Sequence, residues 1–162
     1  MAFDDGAAQD NRYPSASEAF NLAGRSYAEA FGCLDAVHRR IDSICSLTVT
    51  LTLAAPALAK AVKTAPDFGS HWFVCAMIIG AAIVVVGLVA HSVSGITTLD
   101  PAELYGGWLH LSVFDFQVTA TYWAGQHFHR NVQVINRKSW AANGLVLALL
   151  VEVGLLVRWL SS

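Results

Sequence analysis

Residues 72–99 read WFVCAMIIGAAIVVVGLVAHSVSGITTL, 28 successive positions without an Asp, Glu, Lys or Arg. A helix crosses the hydrocarbon layer with roughly 20 apolar residues at about 1.5 Å each, so this run is long enough to span a bilayer. As a soluble helix it would have no face to offer water. Two further runs flank it. Residues 43–59 are uncharged but contain Pro56, and they reach spanning length if the helix continues to about Val62 with Lys60 snorkelling outward. Residues 139–157 are interrupted only by Glu152. Composition agrees: 55% of residues are hydrophobic and 14% charged, against about 25% charged in a typical soluble domain.

The approaches to these runs are as informative as the runs. Ser15 followed by Glu18 is a capping box, in which each side chain satisfies the other residue's free backbone N–H at a helix start. Phe20, Ala23, Tyr27, Ala30, Leu34, Val37, Ile41 and Ile44 then recur at alternating spacings of 3 and 4, a heptad seam. The pattern predicts one helix from about Ser15 to Lys60, with Pro56 as the place for a bend. A turn over residues 64–69 returns the chain, and Ala76, Gly80, Ala81, Ala82 and Gly87 in the second run permit close helix approach. Asp100, Pro101 and Glu103 mark another helix start, which Gly106 and Gly107 weaken. Leu111, Phe114, Val118, Tyr122, Gly125, Phe128, Val132 and Ile135 form a second seam that feeds the third run. Two such seams of similar length pack side by side, each burying what it could not hide alone.

The expected fold is therefore an all-α membrane protein with three transmembrane helices and two stalk helices continuous with the first and third spans. Residues 1–14 read as a mobile N-terminal tail and 15–162 as a single helical membrane domain: stalk helix 15–42, span 43–62, span 72–96, stalk helices 100–138 and span 139–160. Of the ten Lys and Arg residues, Arg12, Arg25, Arg39, Arg40, Arg130, Arg137 and Lys138 fall on one side of this layout, and Lys60, Lys63 and Arg158 on the other. The positive-inside rule then puts the N-terminus in the cytoplasm, as a multi-pass protein of a bacterial inner membrane. Trp140 at one interface, with Trp72 and Trp159 at the other, suits aromatic anchoring. No basic start precedes an apolar core at the N-terminus, so insertion rests on the internal spans. A net charge of −2 and no basic cluster longer than Arg39-Arg40 argue against nucleic acid as a partner. Cys33, Cys45 and Cys75 make an odd count and read as small apolar residues.

The layout from about residue 15 to 160 resembles the small transmembrane effectors of bacterial nucleotide-signalled antiphage systems, the Pycsar transmembrane effectors and the related SLATT-type proteins. The local echoes are Leu34-Asp35 through Arg39-Arg40-Ile41-Asp42 before the first span, and Asn131 through Ile135-Asn136-Arg137-Lys138 before the third. That resemblance implies an effector that oligomerises in the inner membrane and impairs it, killing or arresting an infected cell. The chain departs from the pattern in lacking a separate sensor domain. The competing expectations are a non-catalytic accessory subunit of a larger respiratory or photosynthetic complex, and a cofactor-binding membrane protein.

Catalysis is not expected. The chain has no Gly-rich phosphate loop, no Gly-x-Ser-x-Gly and no His-Glu-x-x-His. No metal ligand set or cofactor is expected either. His127 and His129 lie two apart and point to different faces of a helix. His91 could hold a haem or chlorin, but no second histidine is placed at its depth unless Gly106-Gly107 folds His110 back. The residue that stands out is Glu152, a carboxylate deep in a span and costly to bury charged. It is expected to line a pore or to make a structural polar contact, with Pro56 and residues 75–79 at neighbouring levels. Arg39, Arg40, Arg137 and Lys138 are candidate contacts for cytoplasmic anions or lipid headgroups. The expected partners are membrane lipids, further copies of the chain, or subunits of a larger membrane complex.

Overall fold

The structure is a computed structural model that describes residues 15–62, 67–92, 97, 104–108 and 110–162. The tail 1–14, the helix start at 100–103 and part of the turn at 64–69 lie outside the described residues. Helix α1 runs from Ala16 to Val62, α2 from His71 to Ser92 and α3 from Val113 to Ser161, with a π-helical turn at Leu104–Trp108. No strand occurs among the described residues. Helices α1 and α3 each run without a break from heptad seam to apolar run, and α1 continues through Pro56 to Val62. All three helices are long and apolar enough to cross a membrane, and only 22% of each spanning window is buried inside the protein. The remaining apolar surface faces outward, with Leu53, Ile78, Leu88 and Leu147 all more than half exposed. A soluble protein could not present so much contiguous apolar area to water, so the chain is an all-α membrane protein.

Its contacts fall into two compact units. The first is built from the described parts of residues 1–33 and 95–135. There the seam residues of α1 and α3 meet: Phe20 lies 6.0 Å from Phe116, and Tyr27 lies 6.3 Å from Trp123 and 6.2 Å from Phe128, ring centre to ring centre. The Tyr27 hydroxyl donates to the Ala124 carbonyl over 3.1 Å, and burial pushes its phenol up, opposed by a hydrogen bond with Asn131. Buried Asn131 holds Thr97 by both backbone groups, accepting from its N–H at 3.0 Å and donating to its carbonyl at 3.2 Å. Helix α3 starts at Val113 under a cap that the sequence reading overlooked. The Ser112 hydroxyl accepts from the Asp115 N–H at 3.1 Å and donates to the Asp115 carboxylate at 2.7 Å, which satisfies a free donor of the first turn.

The second unit comprises residues 34–94 and 136–162 and holds the three apolar runs. Two apolar clusters fill it. One joins Ile41 and Ile44 of α1 to Ile83 of α2 and to Ala142 and Leu145 of α3. The other joins Ala55 and Ala59 to Ala76, Leu156 and Trp159. Close approach of α1 and α2 depends on Gly87, where an added Cβ would overlap Cys45 Sγ. Trp159, expected as an interfacial anchor, is instead 1% exposed. It stacks 4.5 Å from Phe73, and its indole N–H donates to the Asp67 carbonyl over 2.8 Å, which pins the turn between α1 and α2. Trp72, with Arg158 over its ring at 5.9 Å, and Trp140 keep outward positions.

Candidate functional site

The apolar clusters of the second unit leave a polar gap between them. Glu152 stands on α3 between Leu145 of one cluster and Leu156 of the other, and is 1% exposed. Thr52 of α1 donates its hydroxyl to Glu152 Oε1 over 3.0 Å. Thr48, one turn earlier on the same face, lines the same groove as Thr52 and Gly80 and is as buried as Glu152. Neither its Oγ1 nor Glu152 Oε2 has a hydrogen-bond partner among the described residues. From α2, Gly80 makes room for the group: a Cβ there would sit 2.8 Å from Glu152 Oε1 and 3.1 Å from Thr52 Oγ1. The neighbours expected were Pro56 and residues 75–79, whereas the actual ones lie a turn earlier on α1 and one residue later on α2. Helix tilt sets which levels meet, and spacing alone does not report tilt.

Burying a carboxylate with one hydrogen bond and no cation is expensive. Between Asp42 and Lys60 on α1, between His71 and His91 on α2, and between Lys138 and Arg158 on α3, Glu152 is the only Asp, Glu, Lys, Arg or His. A groove lies beside the site, although Glu152 itself does not line it. Thr48, Thr52 and Gly80 also line a groove of about 360 Å³ between α1 and α2, rimmed by Leu53, Met77 and Val85 and open on the outer face.

A second polar cluster closes one end of the same unit. Lys138, expected among surface cations, is 7% exposed, with Nζ 2.9 Å from His38 Nε2. That bond requires a neutral His38 carrying its proton on Nδ1, because an ammonium can only donate. His38 lies 4.8 Å from His91, ring centre to ring centre, and His91 Nδ1 lies 3.5 Å from Asp42 Oδ1. Burial pulls His38 below the usual imidazole range, helped by the positive charges of Lys138 and His91 and opposed by Asp42 and Asp35. Burial likewise lowers Lys138. His91 thus does meet a second histidine, His38 rather than His110. Arg39 remains outside, pairing with Asp35 at 3.4 Å, and Arg40 and Arg137 are exposed, so the four candidate anion contacts do not converge. His127 stacks 4.5 Å from Trp123, while His129 bonds to Gln133 at 2.8 Å.

No protein-family model, curated protein or solved structure matches this chain.

Proposed function

We propose that the protein is a non-catalytic effector of the bacterial inner membrane, oriented with its N-terminus in the cytoplasm, whose copies assemble and let ions cross as part of antiphage defence. The observation that carries the ion-conducting part of this reading is the position of Glu152. Its carboxyl is buried between the two apolar clusters and bonded to Thr52, which with Thr48 lines the α1–α2 groove. One copy therefore offers no path along its own axis, and a path for ions would form where grooves of neighbouring copies face one another. Apolar side chains left outward in the first unit, Leu22 and Tyr122 among them, support self-assembly. The defence setting rests on the resemblance in layout.

Expression in a bacterial host with a potential-sensitive dye tests this reading. Induced wild type should depolarise the cells and halt growth, while Glu152→Gln should depolarise them at least tenfold more slowly at equal membrane abundance. A wild-type protein that accumulates in the membrane without changing its potential would overturn it.

A further inference from the structure

The oxygen atoms around Glu152 outnumber the hydrogens available to satisfy them. Two carboxyl oxygens and the hydroxyls of Thr48 and Thr52 converge there, with only the Thr52–Glu152 bond made. Pro56 leaves a further acceptor free on α1. In a helix the N–H of residue 56 would serve the carbonyl of residue 52, and proline has none, so the Thr52 carbonyl loses its helical donor. The result is a buried, oxygen-rich position with a single carboxyl and, among the described residues, no cationic partner. We propose that Glu152, Thr48 and Thr52 form a binding site for a small monovalent cation, sodium, which competes with a proton for the one carboxylate.

Charge and size select the ion. Sodium on one carboxylate leaves a neutral pair, whereas calcium or magnesium would leave a net positive charge in a low-dielectric interior. Hard cations prefer oxygen ligands of this kind, and broken helical hydrogen bonds supply carbonyls for sodium in membrane proteins generally. The α2 backbone approaches closely at Gly80, where even a Cβ would lie 2.8 Å from Oε1, so the room left beside the carboxyl suits sodium better than the larger potassium. The ion's route is the groove that Thr48 and Thr52 line, since apolar clusters lie on either side of Glu152 along α3. The described groups that face Glu152 are Thr48 and Thr52 from α1 and Gly80 from α2; between Asp42 and Lys60 on α1 and between His71 and His91 on α2 the titratable residues are Cys45, beside Gly87, and Cys75, which is exposed. This site does not depend on assembly of copies, so its failure and that of the proposed function are separable.

The test uses the full chain in detergent, with sodium, potassium or choline chloride at equal ionic strength. Sodium should raise the thermal midpoint over choline by roughly 5 °C at mildly alkaline pH, potassium by less, and the difference should shrink on acidification as protons displace the ion. Glu152→Gln should abolish the difference, and Thr48→Val, which keeps the shape and removes one oxygen, should reduce it. In the wild type a membrane-permeant carbodiimide, which adds to protonated carboxyls in apolar sites, should label Glu152 at low pH and lose at least tenfold of that labelling in sodium but not in choline. Equal midpoints in sodium and choline at every pH, or a sodium response that survives Glu152→Gln, would overturn the site. Labelling that sodium leaves unchanged would reduce it to a proton site and overturn the cation assignment.

Discussion

Two polar clusters occupy the three-helix unit, one buried and one half-open, and they manage charge in opposite ways. Around His38, Lys138, His91 and Asp42, basic and acidic groups from all three helices sit together, so charge is answered by neighbouring side chains. Around Glu152 one titratable group meets hydroxyls and a glycine, so charge must be answered by something brought in or by a proton. On α3 the two lie fourteen residues apart, about 21 Å at helical rise. Position explains the contrast: the first stands where a helix leaves its apolar run and long side chains find partners, the second where only short side chains fit between close-packed backbones.

The contrast breaks most severely if a charge without a partner replaces the one at Glu152. Glu152→Lys should cost about 3–5 kcal/mol and abolish a monodisperse peak in detergent. Next comes loss of space. Gly80→Ala should cost about 1–3 kcal/mol in thermal or denaturant unfolding through overpacking against Oε1, and the double variant with Glu152→Ala should cost less than the sum, because the clashing group is gone. Thr52→Val, which removes the one hydrogen bond to the carboxyl, should cost about 1 kcal/mol.

Acidity sharpens the other side. His38 is held below its ordinary value of 6.5, so the folded state binds its proton less readily than the unfolded chain. The stabilisation is complete above that ordinary value and is lost as the pH falls toward the folded one. The unfolding midpoint should therefore drop between neutral pH and pH ~5, and His38→Gln should flatten the decline. A wild-type midpoint that does not move over this interval would remove His38 from the stabilising set. The smallest effect belongs to the exposed pair outside both clusters: Arg39→Ala should change stability by no more than about 0.5 kcal/mol, since solvent screens Arg39 and Asp35.

Much of the architecture was legible in the residues. The seams of Phe20, Tyr27 and Phe128 pack as their spacing required, and α1 and α3 run on into the first and third apolar stretches. The cap of α3 was missed although Ser112 and Asp115 carry the capping-box spacing, because the stronger Asp100-Pro101-Glu103 pattern drew the start upstream. Glu152 was conspicuous as a charge in an apolar run. Thr48 and Thr52 were not, since hydroxyls are common in spanning helices and their four-residue spacing gains meaning only when that face is known to be buried. Lys138 illustrates the converse: beside Arg137 it reads as a surface cation, and only helix rotation turns it onto His38 while Arg137 stays exposed.

By itself the sequence determined that this is a three-helix membrane protein, because runs without charge and periods of 3 and 4 are local properties that water and lipid sort directly. Which residues surround Glu152, that His38 reaches both His91 and Lys138, and that Trp159 is buried rather than interfacial were decided by the tertiary structure. Tilt and rotation of packed helices determine those juxtapositions, and they arise from the fit of Gly80 and Gly87 against side chains a hundred or fewer residues away, which no local pattern encodes.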